Sequence, residues 1–340
     1  MTLPPLAAER ARAIIDQMDG RRVLVVGDVM VDQFTIGRVD RISPEAPVPV
    51  VLFDRDEYRA GGAANVALNL RALNAAVSLV GLVGADAAAG RLTGLLEAAI
   101  VGINGLITDD RRRTTAKVRV VTTRNQQVAR VDYESDEAAA GAIEDALIDQ
   151  LEDRARDAAA IVVSDYLKGV VTRRLMAAVV AAGQQHGIPV LVDPKIPHLD
   201  YYAGATLITP NHHEAETATH LRIRSEDDAR QSARVFRDRT KCDGVLITRG
   251  ENGMWLAAEG AEGHLPAVAR EVSDVSGAGD TVIATLALAL SAGAKVAEAA
   301  QLANQAAGIV VGRFGPATVT ANELAAAFRS ADDTDYADMR

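Results

Sequence analysis

The stretch Asp274-Val275-Ser276-Gly277-Ala278-Gly279-Asp280, running straight into the apolar segment Thr281 to Leu290, is the passage on which both fold and chemistry turn. Its glycines let the backbone pass close to a ligand. The apolar segment reads as a helix, whose first N–H groups are unpaired and whose dipole turns its positive end to the turn, so an anion can be held there. Asp280 places a carboxylate beside that hole. Next to a bound phosphate a carboxylate costs free energy unless it takes a proton from the attacking hydroxyl, so the arrangement reads as phosphoryl transfer. The same residues could also make a plain helix start with Asp280 complementing the dipole, and the rest of the chain has to decide.

Working outward, 340 residues with 49% hydrophobic content can bury the core of one large α/β domain. Short β-branched runs alternate with Ala/Leu-rich helical stretches, which favours a mostly parallel sheet with helices on both faces. Strands are expected at 23–26, 77–83, 160–164, 190–192, 206–209 and 244–248. Helices are expected at about 6–18, from Gly61 to about Leu73, and after Asp280. Residues 33–58, punctuated by Pro44, Pro47 and Pro49, and residues 113–134, with period-2 alternation, read as a small β-sheet lid. Such a lid would cover the carboxyl ends of the core strands, where open α/β sheets bind ligands. A single domain over residues 1–330 with a frayed acidic tail at 331–340 is the economical organisation.

The net charge of −10, from 46 acidic and 36 basic residues, argues against nucleic acid or an anionic membrane as partner. An anionic small substrate then needs local Arg or Lys. No apolar run reaches the ~20 residues that span a bilayer, and the first residues lack the apolar core of a secretory signal. A single cysteine, Cys242, excludes an internal disulfide and fits a reducing cytoplasm. Other chemistries fail on spacing. No lysine follows a glycine as a P-loop requires, the third glycine of a dinucleotide fingerprint would fall at Val282, and the second histidine of a His212-His213-Glu214 metalloprotease site would be Thr217. His198, His220 and His264 show no partner in the sequence and read as surface or cap residues.

Arg59-Ala60-Gly61-Gly62-Ala63-Ala64-Asn65-Val66-Ala67 early in the chain and Asp274 to Asp280 late resemble, in order and separation, the paired signatures of the ribokinase-like, PfkB-type carbohydrate kinases. Asn211-His212-His213-Glu214 is similar to that family's Asn-x-x-Glu element. The resemblance implies a ribokinase-like three-layer α/β/α fold with a β-sheet lid, and ATP as phosphoryl donor. It makes Asp280 the general base and the backbone N–H groups of Gly277, Ala278 and Gly279 the anion hole. Asp32 is implied to contact sugar hydroxyls, with Asp28 as a second candidate, while Gly61, Gly62 and Asn65 admit the sugar close to the backbone. Thr248, Gly250 and Asn304 match family positions near ribose and base. Asn211 and Glu214, with His212 and His213 between them, are implied to help hold Mg²⁺ through water, although a capping box explains the same spacing. Asp274 and Ser276 fall where relatives hold a monovalent cation such as K⁺. Lys168 and Lys195, at core strand ends, can reach either ligand.

Within the family, Gly27-Asp28-Val29-Met30-Val31-Asp32, Arg41 to Val50, Arg124-Asn125-Gln126-Gln127 and Val192-Asp193-Pro194-Lys195 resemble the branch whose acceptor is D-glycero-β-D-manno-heptose 7-phosphate. That acceptor is phosphorylated at C1 on the route to ADP-heptose and lipopolysaccharide. Its 7-phosphate needs cations, and Lys117, Arg119, Arg124 and Arg130 stand on the expected lid. Bifunctional members of the branch add a nucleotidyltransferase domain, so adenylyl transfer is expected here from a separate protein. Lid strands with free edges invite pairing with a second copy, as in relatives, and a homodimer is expected. A kinase for another sugar or sugar phosphate, and a sugar-binding protein without turnover, remain the competing readings.

Overall fold

The computed structural model describes residues 2–268, 272–313 and 317–328. In chain order its elements are α1 (Ala8–Met18), β1 (Arg22–Gly27), β2 (Val29–Ile42), β3 (Pro49–Gly62), α2 (Ala63–Ala72), β4 (Ala76–Val83), α3 (Ala87–Ala98), β5 (Gly102–Thr108), β6 (Ala116–Thr122), β7 (Gln127–Tyr133), α4 (Ala142–Ala155) and β8 (Ala160–Ser164). There follow α5 (Arg173–His186), β9 (Val190–Asp193), β10 (Leu207–Ile208), α6 (His212–Thr219), α7 (Glu226–Thr240), β11 (Gly244–Thr248), β12 (Met254–Ala258), β13 (Ala261–Leu265), α8 (Ala278–Ser291), α9 (Val296–Val311) and α10 (Ala321–Ala326).

Nine strands form the main sheet in the order β13-β12-β11-β10-β9-β8-β1-β4-β5. All its pairings are parallel except those of β11 with β12 and of β12 with β13. In β1, Val23 and Val25 join one core with α2, α8 and α9, while Leu24 and Val26 join the other with α4, α5 and α7. A strand covered on both faces must be apolar at every position, which is why this run carries no alternation. Asp280 through Ala289 of α8 are all buried, so the helix is enclosed all round and its sequence shows no polar stripe. The three-layer α/β/α expectation therefore holds.

A second sheet has the order β3-β2-β6-β7. Here β2 runs antiparallel to β3 and parallel to β6, and β6 runs antiparallel to β7. The first hairpin is longer than the expected 33–58, because β2 leaves β1 after the single residue Asp28 and β3 passes into α2 with no linker. Pro44 and Pro47 lie in the connection and Pro49 opens β3, an edge strand that tolerates a missing N–H.

Three further differences have physical reasons. The strand expected at 206–209 contracts to two residues, yet still pairs with β9 and β11. The β12–β13 hairpin was not anticipated, since its turn signal is the single Gly260 at φ 74 between ordinary residues. His198 and His264 are not idle surface groups: His198 Nδ1 lies 2.7 Å from Asp165 Oδ2, and His264 Nδ1 lies 3.0 Å from Glu226 Oε1. His220 does end α6, in the left-handed conformation. The acidic tail at 331–340 lies outside the described residues. No helix among the described residues is long and apolar enough to cross a membrane.

Candidate active site

The start of α8 is built by the turn before it. Asp274 Oδ1 accepts the Ser276 N–H at 2.8 Å, and the Ala278 N–H donates to Val275 O at 3.2 Å. Gly277 then takes φ 78, a left-handed conformation that suits glycine. Among the described residues the N–H groups of Gly277 and Gly279 meet no acceptor, so the dipole end is open there. Ala278 departs from the sequence expectation, because its N–H is engaged within the turn.

Two residues one turn apart on α2 pin α8. The Asn65 amide donates to Asp280 Oδ2 at 2.6 Å, and Thr281 Oγ1 donates to Asn69 Oδ1 at 2.7 Å. On the other side the Tyr166 hydroxyl donates to Asp280 Oδ1 at 3.2 Å. Asp280 is 5% exposed, and burial pushes its carboxyl up to about 6, against the opposing pull of the Asn65 and Tyr166 hydrogen bonds. Asp32 nearby raises it further and Lys195 lowers it.

Asp280 opens onto a cavity of about 340 Å³ between the α8 end and the second sheet. Asp274, Ser276 and Gly277 line one side; Asp32, Phe34, Arg59, Gly61, Gly62, Lys117 and Arg119 line the other, with Asn65, Asn125 and Tyr166 completing it. Arg119 forms a short ion pair with Asp32. The guanidinium groups of Arg59 and Arg119 lie 5.0 and 5.3 Å from the Phe34 ring centre, so one aromatic face gathers two cations at the cavity wall. A Cβ at Gly61 would stand 2.5 Å from Asp32 Oδ2, which fixes glycine at that position by close approach.

Other expected acceptor residues are placed elsewhere. Asp28 is 1% exposed and its carboxylate accepts three backbone N–H groups, from Tyr166, Lys168 and Val170, so it does not line the cavity. Lys168 Nζ lies 3.0 Å from Glu134 and 2.7 Å from Asp136, and Arg130 pairs with Asp132 at 2.9 Å. Neither lines the cavity, and neither does Arg124, whose neighbour Asn125 does. The sequence reading passed over Arg59, which sits inside the early glycine motif, and Tyr166, which follows the carboxyl end of β8; strand-end position was the available signal for the latter.

At the carboxyl ends of β9 to β11, Asn211 and Thr248 form an isolated parallel bridge. Asn211 and Glu214 make a complete capping box, with Asn211 Oδ1 accepting Glu214 N and Glu214 Oε2 accepting Asn211 N, both at 2.9 Å. Glu214 Oε1 receives Lys195 Nζ at 2.6 Å. Burial raises the Asp193 carboxyl while the adjacent Lys195 ammonium opposes that rise. The His212 and His213 rings lie 3.8 Å apart, and burial lowers the His212 imidazole. Gly250 sits at φ 56 just after β11, and the Asn304 amide, on α9, donates to Pro266 O at 2.8 Å. Among the described residues no cluster of three His, Cys, Asp or Glu could by itself hold a metal.

The chain is 47% identical over 306 residues to the bifunctional protein HldE of Citrifermentans bemidjiense, covering 90% of this chain and 63% of that protein, so it spans less than two thirds of that relative. It is 47% identical over 307 residues to the D-beta-D-heptose 7-phosphate kinase of Bordetella bronchiseptica, covering 89% of this chain and 95% of that one. In three dimensions it resembles Arabidopsis thaliana ribokinase complexed with ribose and ATP, with TM-score 0.72, 20% identity, and coverage of 92% and 100% of the two chains. It also resembles Escherichia coli phosphofructokinase-2 in complex with potassium, with TM-score 0.75, 19% identity, and coverage of 91% and 98%. Residues 21–323 match the pfkB family of carbohydrate kinases, and the chain belongs to that family.

Proposed function

We propose that the chain transfers the γ-phosphoryl group of ATP to the C1 hydroxyl of D-glycero-β-D-manno-heptose 7-phosphate, giving the 1,7-bisphosphate and ADP. The observation that carries this reading is the convergence, on one cavity, of the buried Asp280 carboxylate, the open N–H groups at the start of α8 and three cations of the second sheet. The name of the Bordetella bronchiseptica relative at 47% identity, D-beta-D-heptose 7-phosphate kinase, supports the acceptor.

In this reading Asp280 takes the C1 hydroxyl proton as that oxygen attacks the γ-phosphorus. A pKa of about 6 leaves the group ionised at neutral pH while making it a better base than an exposed aspartate. The Gly277 and Gly279 N–H groups face the charge that develops on the transferred group, already oriented and with no reorganisation to perform. A loose transition state makes this positioning at least as important as the base. A Cβ at Gly279 would meet no protein atom within 4 Å, so a need for glycine there would come from the phosphate in front of the helix. Lys117, Arg119 and Arg59 supply the local positive charge that a sugar phosphate needs in a chain of net charge −10. Asp32 and Asn65, which line the cavity, are proposed to bond the sugar hydroxyls.

On the nucleotide side, Thr248, Gly250, His212, His213, Lys195 and Asn304 are proposed to border ATP. Both Glu214 oxygens and the Asn211 carbonyl are already engaged, a donor set that suits contact with Mg²⁺ through water, the remaining ligands being phosphate oxygens. Bound there, Mg²⁺ would neutralise phosphate charge. Asp274 and Ser276 are proposed for a monovalent cation. Exposed apolar side chains on the second sheet, Ile42 at 60% and Phe53 at 66%, support a homodimer through the lid. A reaction that draws on ATP belongs in the cytoplasm.

The test is ADP release, measured by a coupled assay, across a panel of sugars and sugar phosphates. Heptose 7-phosphate should give the highest kcat/KM. Turnover with fructose 6-phosphate or ribose but not with the heptose would overturn the acceptor assignment. Saturable sugar binding with no ADP release would overturn the kinase reading.

A further inference from the structure

Two buried carboxylates hold the loop that follows β8. Asp28 accepts the N–H groups of Tyr166 at 2.8 Å, Lys168 at 3.0 Å and Val170 at 3.0 Å. Asp165, with no exposed surface, accepts the Leu167 N–H at 2.8 Å and the Tyr202 hydroxyl at 2.6 Å, and stands 2.7 Å from His198 Nδ1. The loop requires this support: Leu167 sits at φ 58, where a branched side chain is strained and persists only if its surroundings impose it. Six hydrogen-bonding contacts to two carboxylates are a large investment of buried polar groups for one short connection.

What the loop delivers to the cavity is Tyr166. Its hydroxyl donates to Asp280 Oδ1 while Asn65 holds Oδ2, so both oxygens of the carboxylate are fixed and rotation of the group breaks both bonds. Lys117 Nζ lies 5.9 Å and Lys195 Nζ 5.4 Å from its ring centre. One ammonium belongs to the lid strand β6 and the other follows β9, so both are within reach of the ring.

We infer that Tyr166 is a positioning residue for phosphoryl transfer, aiming the Asp280 carboxylate at the acceptor hydroxyl, and that Asp28 acts at one remove by fixing Tyr166. This rests on the proposed role of Asp280 as base. Asp280 is also faced by Asp32, Lys195 and the Asp193 carboxyl, which burial pushes up to about 8, and these groups stay in place when the Tyr166 hydroxyl alone is removed.

The test is Tyr166→Phe, which keeps the ring. Losing a donor to the ionised form raises the carboxyl pKa, so the acid limb of the kcat profile should move up by ~0.5–1 unit, with kcat down ~2–5-fold at pH 6 and less at pH 9. The Asp280 carboxyl ¹³C titration, followed by NMR in the protein without substrates, should move in the same direction. Asp28→Asn should lower kcat in the wild-type background and lower it little further in the Tyr166→Phe background, since the two act along one path. An unmoved NMR midpoint and acid limb, or fully additive losses in the double variant, would overturn the inference. The NMR arm separates this outcome from a failure of the proposed function: a shifted midpoint in a protein whose wild type phosphorylates no sugar supports the placement of Tyr166 and sinks the kinase reading instead.

Discussion

Asn65 and Asp280, 215 residues apart in the chain, meet through a 2.6 Å hydrogen bond from the Asn65 amide to Asp280 Oδ2. The early glycine motif thus supplies a direct partner to the late one. Asn65→Asp would set two carboxylates at this distance, where they cannot both ionise, and would lift the pKa of the pair. We expect kcat at pH 7 to fall by ~10² or more with partial recovery toward pH 9, read from ADP release; a pH-independent loss would contradict the shared-proton account.

Asp280→Asn separates chemistry from stability. Turnover should fall by ~10²–10⁴. A folded-state pKa of about 6, above the ordinary aspartate value of 3.8, means that the native protein binds the proton more tightly than the unfolded chain. The buried charge therefore costs stability above pH 6, by about 2–3 kcal/mol from the size of the shift, and that cost fades as pH falls toward 4. The amide variant should melt a few degrees higher than wild type at pH 8 and close to it at pH 4, by differential scanning calorimetry. Equal melting temperatures at pH 8 would show that the charge is not penalised.

The same shift sets the acid limb of activity. kcat/KM for the acceptor should decline below about pH 6, tenfold per unit, as the free-enzyme carboxyl protonates. A limb near pH 4 in the initial-rate profile would place the carboxylate in a wetter setting than its burial implies.

Gly61→Ala tests the acceptor wall without touching the base. The added Cβ falls 2.5 Å from Asp32 Oδ2 and 2.9 Å from Met30 Cγ, so Asp32 has to leave its pair with Arg119. KM for the sugar should rise at least ~10-fold while KM for ATP stays within about twofold. Equal loss for both substrates would mean that the strand, and not the wall, had moved.

Phe53→Asp probes the exposed lid face. If the sheet pairs with a second copy, this charge should shift the chain from dimer to monomer in light scattering at micromolar concentration, with secondary structure retained. A wild-type chain that is already monomeric would remove the basis for the homodimer.

Much of this architecture is legible in the residues alone. The strands at 22–27, 76–83, 160–164 and 244–248 announce themselves because a strand covered on both faces must be apolar throughout. Strand β5 and the hairpin β12–β13 lie toward the sheet edges, where one face or edge is freer and the pattern blurs. At the site, Asp280, Gly277 and Asn65 were visible because glycine spacing ties them to a turn or a helix start, while Asp32, within β2, was marked only by the family resemblance. The cation set was not, since every lid Arg or Lys looks alike in sequence: Lys168 turned out to meet Glu134 and Asp136, and Arg59 took a place at the cavity that no spacing rule assigns. Asp28 reads as a ligand residue by position, and only the tertiary path of the 166–170 loop shows three amides converging on it.

The joint between the sheets carries a mechanical corollary. One residue, Asp28, separates β1 from β2, and β3 passes into the first turn of α2 without slack, three residues before Asn65. A tilt of the second sheet would therefore be carried to the amide that holds Asp280, through a joint with no connecting loop. Were the sheet to fold down over a guest, the same stroke would shift the aim of the Asp280 carboxylate.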